Sequence, residues 1–354
     1  MVSKIYLIRL ERNLQMIDWV TMKVSCDHDG IISNGEVVSL SKDGDSIEWS
    51  LVKFLPLVGS HDATISIRSI TQSTIEISGN PTKWLQGHNL FGTNDLKRLV
   101  WLFFNKLLDI PELKLKPSLE QLHAVKMGKL TVSRVDINET WFLETREEVL
   151  AWLRSAGQKI SLKHRGAGQF KGDTLYWGNI RSRRWFLKCY SKGDEINSKK
   201  SNFPDALRIP EMLEYADRAL RIELVLRSNQ LREWHLHEVA HWNADTGKML
   251  LLELIKGLEM SNNMRLTDDK LKNLKPSVKM AYFAWLGGQD LKLELKRPTY
   301  YRYKAQLKEL GIDIGIPRDI EQKDANVIPL MRVLEAQPVG IPDWAFEKGL
   351  VACA

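Results

Sequence analysis

Apolar and polar residues alternate along much of the first two-thirds of the chain. The β-rich runs are Val37–Leu40, Ile47–Val52, Ala63–Ile70, Thr74–Ser78, Leu130–Thr140, Thr174–Asn179, Arg184–Tyr190 and Leu220–Leu226. Gly79-Asn-Pro81 closes one of them, because proline cannot continue a ladder. Asn94–Leu108 has a helical period instead, with Leu96, Leu99, Phe103 and Leu107 on one stripe and Asn94 as cap. Glu144–Ala156 reads as a second helix capped by Thr145, and Lys192–Pro210 as a polar, mobile loop. After about residue 231 the period is helical over Met249–Met260, Asp268–Leu286 and Pro298–Leu310, the last bounded by Pro298 and Gly311. Asn326–Leu334 forms one more short helix on this pattern. The expectation is an α+β fold: residues 1–230 carry a central antiparallel sheet flanked by helices, and residues 231–354 form a mainly helical domain.

Three strands break their apolar alternation with an acid: Ile75-Glu76-Ile77, Val135-Asp136-Ile137 and Ile222-Glu223-Leu224. Side chains alternate across a strand, so each acid faces away from its apolar neighbours. Arg134-Val-Asp136 and Arg221-Ile-Glu223 put an arginine and a carboxylate on one face, and Lys188 and Tyr190 share a face in the same way. If these strands are neighbours, carboxylates converge beside Tyr190 and suit Mg²⁺ or Mn²⁺, which prefer oxygen ligands. Ordinary Arg–Asp pairs on a half-exposed antiparallel sheet give the same pattern.

Charge sharpens this picture. The chain has 354 residues, enough for about two domains, and a net charge of +7 with 44% hydrophobic and 27% charged residues. Residues 155–200 hold eleven lysines and arginines against three acids, an excess that by itself covers the whole chain's +7. Tyr190 lies in that field, between Lys188 and Lys192 and downstream of Arg181, Arg183 and Arg184. A phenol in a basic field suits attack on a phosphodiester, the field holding the backbone. It also suits a plain solvated basic strand. The pI near 9.1 favours nucleic acid over a membrane as partner. Cys26, Cys189 and Cys353 are far apart and odd in number, which excludes a disulfide framework and a Cys-x-x-Cys zinc site and fits a reducing cytosol. No apolar run approaches the roughly 20 residues of a membrane span.

Histidines supply two competing motifs. His237-Glu-Val-Ala-His241 matches the zinc-peptidase pattern H-E-x-x-H, with Glu238 as base, if it is helical. His235-Leu-His237 matches the His-hydrophobic-His metal pair of many DNA-nicking enzymes, if it is a strand. They overlap and exclude each other, and a histidine-rich surface helix explains both.

At Gly79-Asn-Pro-Thr-Lys-Trp-Leu-Gln-Gly-His-Asn-Leu-Phe-Gly-Thr-Asn-Asp-Leu96 the chain resembles the replication initiators (gene II proteins) of filamentous bacteriophages. Further similar blocks follow in order: Val132-Ser-Arg-Val-Asp136, Leu187-Lys-Cys-Tyr190, Arg221-Ile-Glu223, Arg302-Tyr303 ahead of Gly311-Ile312, Asn326-Val-Ile-Pro-Leu330 and Pro342-Asp-Trp344. The resemblance runs from about residue 75 to the C-terminus and is weak before that. It implies a rolling-circle initiator nuclease fold. It also implies an enzyme that nicks the plus strand of double-stranded replicative-form DNA through a covalent 5′-phosphotyrosine. The freed 3′-OH primes synthesis, and the displaced strand is later rejoined into a circle.

Residue by residue, the resemblance places the nucleophile on Tyr190; because nearby positive charge favours a phenolate, Lys188 or Lys192 is read as lowering its pKa or holding the phosphate. The family's strand acids fall on Asp136, Glu223 and Glu76, which by analogy with other rolling-circle initiators are read as Mg²⁺ ligands, and His88 is a fourth ligand, a proton shuttle or a turn residue. DNA contacts fall to Arg134, Arg181, Arg183, Arg184 and Arg221, and to Arg302 and Lys304 on the helix Pro298–Leu310, where Lys308 accompanies Tyr300, Tyr301 and Tyr303. Trp177 and Trp185 are candidates for base stacking, or for the core. The implied partners are origin DNA, the displaced single strand, and host helicase, polymerase and single-strand-binding protein in the bacterial cytoplasm, with a homo-oligomer on DNA left open. Because a phosphotyrosine keeps the bond energy, resealing needs no ATP, and the chain has no Gly-x-x-x-x-Gly-Lys-Ser/Thr loop. A non-catalytic origin-binding protein and a zinc peptidase stand as the alternatives.

Overall fold

Alternation in the sequence becomes one large sheet in the computed structural model, which describes residues 16–59, 61–163, 165–199, 201–260, 271–310, 312, 314–315, 334 and 339–352. The strands are β1 (Met16–Ser25), β2 (Glu36–Leu40), β3 (Ile47–Val52), β4 (Leu55–Val58), β5 (Thr64–Thr71), β6 (Thr74–Gly79) and β7 (Thr131–Phe142). They continue with β8 (Ile160–Leu162), β9 (Gly166–Ala167), β10 (Gln169–Lys171), β11 (Thr174–Trp177), β12 (Trp185–Ser191), β13 (Ala219–Arg227) and β14 (Leu258–Met260). Nine strands form the central sheet in the order β10-β11-β12-β13-β7-β1-β6-β5-β4, with antiparallel neighbours throughout. This is the α+β architecture the sequence predicts.

One face of the sheet is apolar. Val20, Met22, Ile65, Ile75, Ile77, Val135, Ile137, Leu187, Ile222 and Leu224 bury there against α2 (Leu96–Leu108), α4 (Arg146–Lys159) and α8 (Thr246–Ile255), through Leu99, Phe103, Trp152 and Leu251 among others. Each such side chain contributes about 1.5–3 kcal/mol on full burial. Thr145 caps α4 by accepting from the Glu148 N–H, as expected. The cap of α2 is Asp95, not Asn94. Asn80 ends β6 and caps α1 (Pro81–Gln86), with Pro81 in the first turn where its missing N–H costs nothing.

Two expectations need correction. Lys192–Pro210 is not a mobile loop throughout: Ser191 caps a short helix, α5 (Lys192–Asn197), and Lys192 is fully buried at its start. Residues 231–258, assigned above to the C-terminal domain, share the sheet's core through Leu231, Val239, Trp242, Leu251, Ile255 and Leu258, and β14 pairs with β8. A separate apolar cluster joins the helices Pro276–Leu286 and Arg297–Glu309 through Val278, Tyr282, Trp285, Tyr300 and Leu307. A third links α6 (Pro210–Arg218) and Phe91 to Ile341, Trp344, Ala345 and Leu350 near the chain's end. The helix expected at Asn326–Leu334 lies, but for Leu334, outside the described residues. No described helix is long and apolar enough to cross a membrane.

Candidate active site

The opposite, polar face of the sheet carries the candidate chemistry. Register sets Lys188 across from Glu223 and Tyr190 across from Arg221 between β12 and β13. Glu223 in turn faces Asn138 of β7, and Asp136 of β7 faces Trp19 of β1. Tyr190 donates from its hydroxyl to Glu223 Oε2 at 3.2 Å. Lys188 Nζ lies 2.5 Å from Glu223 Oε1 and its ammonium 5.8 Å from the centre of the Tyr190 ring. Asp136 lies near enough to Glu223 for its negative charge to act on that carboxyl. Arg134 forks onto Asp136, with Nε 2.7 Å from Oδ1, and stacks over Trp19 at 4.7 Å.

Burial dominates the electrostatics. It raises the Tyr190 phenol well above its ordinary value, and the charge of Glu223 adds to the rise. Burial also raises Glu223, helped by Asp136 and opposed by Lys188. It works against the charge on Lys188, but Glu223 and Asp136 outweigh it and hold the ammonium above the ordinary lysine range. The centre therefore holds a protonated phenol against a carboxylate that a lysine partly neutralises.

A second network lies behind this one. A bulge in β1 between Ile17 and Trp19 inserts Asp18. Asp18 Oδ1 accepts from the Asn80 side chain at 2.5 Å and the Asn89 side chain at 2.8 Å. Lys192 Nζ donates to Asn89 Oδ1 at 2.7 Å and to Glu195 Oε2 at 2.5 Å. Arg221 donates to the carbonyls of Asn89 and Leu90, at 2.5 and 3.1 Å, and so holds the loop that carries Asn89. A cavity of about 510 Å³ opens over both networks, bordered by Asp18, Trp19, Lys83, Asn89, Tyr176, Lys188, Tyr190 and Glu195.

The sheet thus brings together Tyr190, Lys188, Glu223, Asp136 and Arg134 of the residues singled out in the sequence. Glu76 is elsewhere: it sits on β6, three strands from β13, bound by Arg68 with Nε 2.8 Å from Oε2. His88 is a structural residue rather than a ligand of this cluster. Its Nε2 meets the Leu350 carbonyl at 2.8 Å and its Nδ1 accepts from the Leu90 N–H at 3.3 Å, while burial pushes its pKa down to about 4. Lys192 serves Asn89 and Glu195, and Arg221 is only 1% exposed, so neither side chain is free to grip DNA. Arg181 and Arg183 are exposed, while Arg184 is exposed and pairs with Glu233. Arg302 is exposed over the Tyr303 ring at 5.3 Å, Lys304 is half-buried, and their helix packs through Tyr300 and Leu307. Trp177 is a core residue whose Nε1 donates to the Ile160 carbonyl at 3.1 Å, and Trp185 is half-buried beneath Arg165.

Neither histidine motif has its required geometry. His235 has φ +57°, outside any strand. Glu238 bridges Thr131 in extended backbone, and only Val239–His241 form a single 3-10 turn, so His237 and His241 are not one helical turn apart. Among the described residues no three His, Cys, Asp or Glu side chains gather as a metal site. Asp136 and Glu223 offer a pair of carboxylates.

Asp18, Asn80, Asn89 and Glu195 escaped the sequence reading. Asp18 was within reach of it, since Ile17-Asp18-Trp19 is one more acid between apolar neighbours in the alternating run Met16–Ser25.

Fold and site define the class: an α+β protein with a tyrosine–carboxylate centre on the polar face of an antiparallel sheet. Comparison with known proteins narrows it. Residues 16–245 match the family of the N-terminal part of the phage replication-associated protein, the gene II product, and residues 266–351 match the family of its C-terminal part. The replication-associated gene II protein of Enterobacteria phage I2-2 is 38% identical over 335 residues, covering 92% of this chain and 95% of that protein. The protein of the same name from Enterobacteria phage M13 is 26% identical over 408 residues, covering 97% of this chain and 95% of that one. No solved structure matches. The chain belongs to the replication-associated protein family of filamentous phages, the gene II replication initiators.

Proposed function

We propose that the protein nicks one strand of its phage's replicative-form DNA at the origin, holds the 5′ phosphate on Tyr190, and later rejoins the displaced strand. One observation carries the reading: the Tyr190 hydroxyl donates to a carboxylate, Glu223, which Lys188 also contacts, beneath an open cavity. Nucleophile and base at hydrogen-bond distance, with the base held by a third group, are what covalent catalysis requires.

In this mechanism Tyr190 Oη attacks the phosphorus as its proton passes to Glu223 Oε2. The P–O bond to the 3′ carbon breaks, and the departing oxygen takes a proton from solvent to become the 3′-OH. Lys188 stands beside both the base and the phenol, where it offsets negative charge as the phosphate arrives. Arg134 orients Asp136, and the Asp18–Asn89–Lys192 network fixes the strand end that carries Tyr190. Rejoining is the reverse, with Glu223 returning the proton to Tyr190.

The donor set fits Mg²⁺. Two neighbouring carboxylates, Asp136 and Glu223, give hard oxygens, and Mg²⁺ is commonly held by one or two carboxylates with substrate phosphate and water. When bound, the ion would polarise the phosphate and offset charge on the leaving oxygen. The test is a nicking assay on supercoiled DNA bearing the phage's own plus-strand origin, with Mg²⁺, comparing wild type with Tyr190→Phe. Loss of nicking in the variant is expected. Nicking that survives the change overturns the assignment, and binding without cleavage by wild type favours the non-catalytic origin-binding alternative.

A further inference from the structure

A second cavity, of about 560 Å³, shares Tyr176 in its lining with the one at Tyr190. The volume is in the range of about 300–1,000 Å³ usual for ligand clefts. The two differ in charge. The catalytic cavity includes Asp18, Asp173, Asp194 and Glu195 in its walls. The second is lined by Arg165, Lys171, Gln169, Asn179 and apolar or aromatic groups, and none of its lining residues is acidic.

Arg165 is the unusual group there. Its guanidinium lies 4.1 Å over the Trp185 ring. Its Nε is buried and finds no hydrogen-bond partner among the described residues. Burial, and then the charge of Arg184, push its proton affinity down. Arg184 has Glu233 as counter-ion, whereas among the described residues no carboxylate pairs with Arg165. A half-buried cation without a counter-ion among the described residues is costly to keep. Gly178, at φ +97°, makes room for it: a Cβ there would come 3.2 Å from Arg165 Cδ. Phe170, 48% exposed, stands at the rim.

A guanidinium without a counter-ion among the described residues, with an aromatic ring at the rim, suits a phosphate with an unpaired base beside it. We propose that this cavity is a single-strand DNA subsite, in which Arg165 grips a phosphodiester next to the scissile one and Phe170 stacks on the neighbouring base. The inference rests on the strand-transfer function proposed above and adds to it a path across β11 to the sheet edge at β10. A duplex is excluded from the role, because stacking on Phe170 needs a base freed from its partner.

The test is binding of a fluorescein-labelled single-stranded oligonucleotide to the full chain across a salt series, followed by anisotropy. Arg165→Gln is expected to weaken binding about 10-fold and to flatten the log–log salt slope by about 0.7, the value for one phosphate on a single strand. Arg165→Lys is expected to keep the slope. Unchanged affinity and slope in Arg165→Gln would overturn the proposal.

A second measurement needs no variant. Phenylglyoxal labelling of Arg165 in the wild-type protein, read by peptide mass spectrometry, should be blocked by the oligonucleotide and not by equimolar inorganic phosphate. Labelling that the oligonucleotide leaves unaltered, or that free phosphate blocks equally, contradicts a strand path. Tyr190→Phe assayed for covalent adduct keeps the two ideas apart. An adduct that depends on Tyr190 together with indifferent Arg165 variants removes only the subsite.

Discussion

Tyr190 and Glu223 come from neighbouring antiparallel strands and meet at 3.2 Å, hydroxyl to carboxylate. They are not directly opposite in register, since Tyr190 faces Arg221 and Glu223 faces Lys188. The contact is a diagonal one across the polar face, within reach of long side chains. It points the phenolic proton at a carboxylate that also pairs with Lys188 and feels the charge of Asp136.

Glu223→Gln removes the proton acceptor while keeping size and burial. Nicking is expected to fall at least about 100-fold, the lower range for loss of general base catalysis. Origin affinity should change far less. Gel-shift titration beside single-turnover cleavage separates the two quantities, and an equal fall in both would assign Glu223 to DNA binding instead.

Asp136→Asn leaves Arg134 with a neutral partner and takes one hard anionic oxygen from the pair beside Tyr190. The Mg²⁺ concentration for half-maximal nicking is expected to rise several-fold, and chelation with EDTA should abolish nicking by wild type. A Mg²⁺ dependence identical to wild type would remove Asp136 from the metal's ligands.

Glu139 points from β7 into the core, where its Oε2 finds no hydrogen-bond partner among the described residues and burial raises its pKa from 4.5 to about 7. The folded state thus holds this proton more tightly than the unfolded chain does. Its contribution is fully favourable below pH 4.5 and declines as pH rises towards 7, by roughly 3 kcal/mol at most. Glu139→Gln is therefore expected to raise Tm relative to wild type at about pH 8 and to matter little near pH 4.5. Thermal melts at the two values check it, and a difference independent of pH would rule it out.

His88 titrates in the opposite sense. Held neutral between Leu90 and Leu350, with a pKa near 4 against 6.5 in the unfolded chain, it contributes stability present above pH 6.5 and lost as pH falls towards 4. The same ring ties the C-terminal segment to the loop bearing Asn89, together with the Ala352 N–H donating to Gln86 Oε1 at 2.9 Å and Trp344 edge-on to Phe91 at 5.6 Å. His88→Ala is expected to lower the rate of adduct formation with DNA affinity kept, and His88→Gln to restore part of it. A His88→Ala variant that forms adduct at the wild-type rate would free the C-terminal segment from any positioning role.

β-rich composition and alternation made β2, β3, β5, β6, β7, β11, β12 and β13 legible in the sequence, although only some of them are half-buried: β2 and β3 are exposed and β13 is buried on both faces. Alternation also put Lys188, Tyr190, Asp136 and Glu223 on the correct faces. It could not order the strands, which is why Glu76 looked equivalent to Asp136 and Glu223 although β1 separates it from Asp136 and both β1 and β7 separate it from Glu223. Arg221 read as a DNA contact and Lys192 as a catalytic lysine because charge alone does not reveal that backbone carbonyls and Asn89 await them in the interior. Asp18 showed the same acid-between-apolar pattern, but the bulge that sets it against Asn80 and Asn89 is a one-residue change of register without a fixed sequence sign.

Everything proposed for the chemistry turns on which residue carries DNA after cleavage. Wild-type protein is reacted with origin DNA and Mg²⁺, digested with nuclease and protease, and the nucleotide-bearing peptide sequenced by mass spectrometry. A 5′-phosphate is expected on the tyrosine of Phe186-Leu-Lys-Cys-Tyr190, and no adduct in Tyr190→Phe. A nucleotide on any other residue, Tyr176 included, or cleavage that leaves no protein-bound phosphate, would contradict Tyr190 as the nucleophile.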